Sequence, residues 1–169
     1  PMFVDLSFRD RAGDPVPGLT VDIWHAAPTG FYENEDDTQA PMNLRGTFRT
    51  GDDGRVWFRS IKPAGYPVPT DAVVGQMLAA QNRHPYRPAH LHVLAHGDGY
   101  KTMISQIYAD DDRRLDSDVA FGVTAALTAT YAWHDEPHPD GLCDGGWVGL
   151  DHTLVMEPGV SRLPIPPIK

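Results

Sequence analysis

Val4, Leu6 and Phe8 alternate with Asp5, Ser7 and Arg9, and a period of two marks a strand that buries one face. Gly13-Asp14-Pro15-Val16-Pro17-Gly18 follows with turn chemistry. Leu19 to Ala26 repeats the alternation, with Val21 and Ile23 on one face. Arg45 to Thr50 and Arg55 to Ile61 flank Gly51-Asp52-Asp53-Gly54, a spacing that predicts a hairpin. Leu91 to Ala95, Thr102 to Tyr108 and Thr153 to Met156 complete the predicted strands. Short strands separated by Gly, Pro and Asp clusters predict a mainly β fold, an antiparallel β-sandwich with long loops and one or two short helices.

Two segments depart from that rhythm. Pro69-Thr70-Asp71 opens a short helix with Val74, Met77, Leu78 and Gln81 on one side, ended by Arg83-His84-Pro85. Val119 to Tyr131 is alanine-rich and predicts a second helix. Glu33 to Pro41 and Asp135 to Gly146 read as long loops, where function is often carried.

The 169 residues suit one domain with a core that needs neither disulfides nor a structural metal. A net charge of -9, from 23 acidic against 14 basic side chains, leaves no basic stripe for nucleic acid. Cys143 is the only cysteine, which excludes an internal disulfide and a cysteine-built zinc site and favours a reducing compartment. No basic start with a long apolar run opens the chain, and no 18-residue apolar stretch occurs, so no membrane partner and a cytoplasmic location are expected. A strand pattern that begins at residue 3 reads as an excised domain.

The chemistry concentrates in Arg87-Pro88-Ala89-His90-Leu91-His92. On a strand His90 and His92 leave the same face, about 6 to 7 Å apart, a spacing that suits two ligands of one metal. Pro88 holds Arg87 extended, and Pro67 and Pro69 stiffen the loop that carries Tyr66. His25 reads as core support beside Trp24, His96 as a strand-end residue, and His134, His138 and His152 lack paired spacing. Three readings stand on these residues. One is an iron site, one a cupin-like or zinc-dependent hydrolytic site using His90, His92 and His96, and one a non-catalytic β-sandwich that binds an aromatic ligand or partner.

Asn43-Leu44-Arg45-Gly46-Thr47-Phe48-Arg49-Thr50, the run Val56 to Pro69, Arg83 to His92 and Leu115-Asp116-Ser117-Asp118 with Phe121-Gly122-Val123 together resemble the intradiol ring-cleavage dioxygenases, in the catechol and hydroxyquinol 1,2-dioxygenase branch. The resemblance implies a non-haem ferric ion, Fe(III), held by Tyr32, Tyr66, His90 and His92, with Arg87 and Gln106 beside the substrate ring. It implies that Tyr66 is the ligand a diol displaces. The implied reaction inserts both atoms of O2 into a catechol, hydroxyquinol or substituted catechol, giving a cis,cis-muconate or maleylacetate-type product. Residues 1–169 are then expected to be a single catalytic β-sandwich domain without the family's N-terminal helical domain, with a small aromatic diol and O2 as partners and a homo-oligomer as an option. Hard ferric iron and hard phenolate oxygen suit one another, because a bound cation readily depresses a phenol's ordinary pKa near ~10. Val119, beside Asp118, is expected to narrow the pocket.

Overall fold

The computed structural model of the protein describes residues 1–165. Two sheets face one another. The first has the order β10 (Ala132–His134), β11 (Trp147–Val155), β1 (Met2–Arg9), β4 (Arg55–Ser60). The second runs β3 (Arg45–Arg49), β2 (Thr20–Trp24), β7 (His90–Gly97), β8 (Tyr100–Ala109), β9 (Thr128–Ala129). A small ribbon pairs β5 (Tyr66–Pro67) with β6 (Tyr86–Arg87), and α1 spans Val73–Ala80.

The core fills the space between the sheets as the alternation demands. Val4, Leu6, Phe8, Val56, Phe58, Val148 and Leu150 from the first sheet meet Val21, Ile23, Leu91, Val93, Ala95 and Ile107 from the second. The even residues of β7 therefore point away from the core, onto the outer face of the five-stranded sheet. The outer face of β1 is covered too: Phe3 is 4% exposed, with the His138 ring 4.2 Å away and the Trp147 edge 5.6 Å away. His25 is a buried core residue whose ring contacts Ala26 O and Ser60 Oγ.

Four details differ from the sequence reading. The sandwich is mixed, because β1 pairs with β11 in parallel and β8 pairs with β9 in parallel. Arg45 to Thr50 and Arg55 to Ile61 do not form a hairpin. The turn exists, with the Gly51 N–H donating to Arg55 O, but β3 pairs with β2 and β4 with β1, so the chain crosses between sheets there. Phe48 and Phe58 stack 4.8 Å apart across the gap, and apolar side chains on both strands are satisfied better by opposite sheets than by each other. Val119 to Tyr131 is not an α-helix; it carries a 3-10 turn at Ala125–Leu127 and strand β9, its glycine and threonines outweighing its alanines. Helix α1 forms, but of its apolar residues only Leu78 is buried, while Val74 and Met77 stay exposed.

Candidate metal centre

Neighbouring strands bring the site's residues into register. Trp24 of β2 lies opposite His92 of β7, which lies opposite Gln106 of β8; His90 lies opposite Tyr108. The ribbon adds a second layer, because Tyr66 and Arg87 are paired with each other. Tyr32 arrives from the loop after β2, where the Ala27 N–H donates to Phe31 O and the Tyr32 N–H donates to Glu35.

Four donor atoms converge. Tyr32 Oη is 3.0 Å from Tyr66 Oη and 3.0 Å from His92 Nε2, and His92 Nε2 is 3.1 Å from His90 Nε2. The His90 Nδ1 atom lies 2.7 Å from Pro88 O. A carbonyl only accepts, so Nδ1 carries the proton and His90 Nε2 presents a lone pair to the cluster. Two imidazole nitrogens and two phenol oxygens at these spacings fit ligands sharing one cation with bonds of about 2 Å. No group of three or more His, Cys, Asp or Glu side chains suited to a metal occurs among the described residues; His96 sits near the far end of β7, opposite Thr20, and does not join His90 and His92.

Electrostatics leave both imidazoles uncharged. Burial, reinforced by Arg87, pushes His90 down to about 4. Burial together with His90 and Arg87 pushes His92 down to about 3. Both rings are neutral at neutral pH, with lone pairs free to donate. Burial and the adjacent Tyr66 hold the Tyr32 phenol well above the ordinary tyrosine range, so its oxygen becomes an anion only if a positive charge sits beside it. The Trp24 indole stacks on the His92 ring at 4.7 Å and 3°, fixing the plane of that imidazole.

Arg87 stands next to this cluster. Its Nε and Nη2 donate to the two carboxylate oxygens of Asp118 at 3.1 Å each, Nη2 also donates to Tyr108 Oη at 2.7 Å, and Nη1 lies 3.5 Å from His90 Nε2. Burial opposes the guanidinium charge, but Asp118 and the Tyr108 oxygen overcome it and hold Arg87 above the usual arginine range. Tyr108 Oη is 3.5 Å from Gln106 Oε1, which ties Gln106 loosely to the same group. All six residues singled out from the sequence, Tyr32, Tyr66, Arg87, His90, His92 and Gln106, thus lie in one neighbourhood. Sequence reading missed Asp118, Tyr108 and Trp24. Asp118 carried a signal, an acid inside a motif of the resemblance, but its partner is 31 residues away. Val119 lines an apolar groove of about 590 Å³ against α1, with Val74, Met77 and Leu78.

A family model described as "Dioxygenase" matches residues 1–143. The hydroxyquinol 1,2-dioxygenase of Rhizobium sp. (strain MTP-10005) is 41% identical over 159 residues, covering 92% of this chain and 54% of the relative. The 6-chlorohydroxyquinol 1,2-dioxygenase of Cupriavidus pinatubonensis is 41% identical over 146 residues, 86% of this chain and 50% of the relative. The crystal structure of hydroxyquinol 1,2-dioxygenase from Pseudomonas putida DLL-E4 superposes with a TM-score of 0.84 at 36% identity, over 94% of this chain and 56% of that one. The chain thus spans about half the length of the curated relatives it matches. Family model, relatives and solved structures agree on one assignment: the chain belongs to the intradiol ring-cleavage dioxygenase family.

Proposed function

We propose that this chain is the catalytic β-sandwich unit of a non-haem Fe(III)-dependent intradiol dioxygenase, with Tyr32, Tyr66, His90 and His92 as metal ligands and Arg87, Tyr66 and Gln106 serving the reaction. The convergence of two phenols and two neutral imidazoles at 3.0 to 3.1 Å carries this reading. Ferric iron, when bound, supplies a Lewis-acid centre on which an aromatic diol chelates as a dianion and its ring becomes reactive toward O2. Hydroxyquinol and catechol are the favoured substrates, since relatives of this chain are named hydroxyquinol and catechol 1,2-dioxygenases; both oxygen atoms enter the product, a muconate or maleylacetate-type diacid.

The chain's own residues have distinct tasks. Two phenolates and one hydroxide would balance the three charges of a ferric ion, so a diol dianion that replaced one phenolate and the hydroxide would leave the buried charge unchanged. Tyr66, on the two-residue strand β5, would be the ligand that leaves, its Oη taking up one of the diol's two protons while a displaced hydroxide takes the other. Arg87 Nη1 faces the cluster from the side of His90 and offers a permanent cation to charge developing on the ring. Gln106, across from His92, presents an amide to the same space. His90, Arg87 and Tyr108 are buried, so water is excluded behind the reacting centre. The partners are a small diol and O2, and a homo-oligomer of the protein fits the reading. No helix of the described residues is long and apolar enough to cross a membrane.

Tyrosinate bound to ferric iron absorbs visible light. Iron-loaded protein is expected to be coloured, to shift its band when catechol is added without oxygen, and to consume one O2 per diol when oxygen is admitted. Tyr66→Phe should alter the band and depress uptake sharply. A colourless ferric-loaded protein rejects the site, and equal uptake by Tyr66→Phe rejects the role of Tyr66. Parallel assays with hydroxyquinol and catechol identify the preferred diol.

A further inference from the structure

The Arg87 side chain has three guanidinium nitrogens, and the fold occupies two of them. Asp118 accepts from Nε and Nη2, and Tyr108 Oη accepts a second time from Nη2. Only Nη1 is left facing the ligand cluster. Asp118 is itself 3% exposed and fully engaged: besides Arg87 it accepts from the Ala120 and Gly122 backbone N–H groups at 3.2 and 2.9 Å. A bidentate carboxylate with four donors has one orientation, and it transmits that orientation to the arginine.

The loop that carries Asp118 comes close to Arg87 at Gly122. A Cβ at Gly122 would come within 2.4 Å of Tyr108 Oη and 3.1 Å of Arg87 Nη2, so the backbone reaches the pair only because residue 122 has no side chain. Phe121, just before it, has φ 54°, a left-handed conformation that costs a bulky residue free energy. The Arg83 guanidinium lies 4.0 Å over the Phe121 ring, and the Arg83 Nη2 donates to Val119 O. A left-handed residue and a glycine thus both occur where Asp118 grips Arg87.

We propose that Asp118 is a positioning residue for the ring-cleavage reaction: it holds Arg87 by Nε and Nη2 so that Nη1 is aimed at the substrate space beside His90. This rests on the function proposed above. It makes Asp118 act through Arg87 alone, without touching substrate or metal.

A double-mutant cycle on the iron-loaded protein tests this. Asp118→Asn keeps the shape but loses the second accepting oxygen; kcat with hydroxyquinol should fall about 10- to 100-fold, the cost of misplacing a catalytic group by about an ångström. The resting visible band should be unchanged and the anaerobic dissociation constant for catechol should move less than about threefold, because neither ligand set nor chelating oxygens are altered. Arg87→Lys should lose as much or more, and adding Asp118→Asn to Arg87→Lys should cost less than about twofold further. A multiplicative double variant, or a single Asp118→Asn within twofold of the unsubstituted protein, overturns the proposal. If Asp118→Asn fails to fold, Tyr108→Phe removes the other anchor of Nη2 and must give the same non-additivity with Arg87→Lys; additivity there overturns it equally. Failure of the underlying function is seen separately, as absence of colour and turnover in the unsubstituted protein.

Discussion

A ligand's plane matters as much as its identity. His90 is fixed by a hydrogen bond from Nδ1 to the Pro88 carbonyl, but His92 is held from its face by Trp24. Groups that orient a ligand typically control metal affinity by 10- to 100-fold. Trp24→Leu should therefore lose about tenfold in ferric affinity, read by competition with a chelator, while the position of the visible band stays put because no ligand is removed. An unchanged affinity would show that the stack is incidental. The histidine pair was legible in the sequence because parity on a strand is a local property. Trp24, Tyr108 and Asp118 were not, since their roles arise from register between strands and from a loop contact 31 residues away, which no local pattern encodes.

Among elements, the crossing at Gly51 to Gly54 deserves a separate test because the predicted hairpin gave way to a change of sheet. Gly54 has φ +72°, and a Cβ there would meet Phe8 O at 2.6 Å and Val16 N at 2.8 Å. Both atoms belong to the backbone, so nothing flexible can yield. Gly54→Ala should cost about 2–3 kcal/mol of stability, as expected for strain plus a backbone clash, measured by denaturant unfolding. Its iron-tyrosinate band should be normal, since β7, β8 and the ribbon lie elsewhere. The strands themselves were readable where one face is buried, as in β2 and β7. Two-residue strands such as β5 and β6 were invisible, because they are too short for any period to show and exist only as a lid over the outer sheet face.

At the scale of the whole molecule, His25, His90 and His92 are all held below the ordinary histidine range, His25 mainly by burial, His90 to about 4 and His92 to about 3. The unfolded chain takes up these protons near pH ~6.5. Between that value and the folded values the unfolded state binds more protons, so stability falls as pH falls. Each histidine contributes about 1.4 kcal/mol per pH unit within its window. Chelator-treated protein should thus lose unfolding midpoint steadily from pH 6.5 to 4.5 and hold a plateau just above pH 7; a flat profile across that interval would refute buried neutral histidines. The order of strands has another outcome. β1 is clasped between β4 and β11, and its parallel partner pairs Met2 with Val148 and Phe8 with Leu154. On a ribosome, β2, β3, β7 and β8 can meet from near neighbours while the first strand waits for almost the last one. Closing so long a loop is slow, and until it closes one half of the sandwich has an open edge beside β1, a template for unwanted strand pairing. Synthesis at lower temperature or with a holding chaperone should raise the soluble yield, for a reason that has nothing to do with iron.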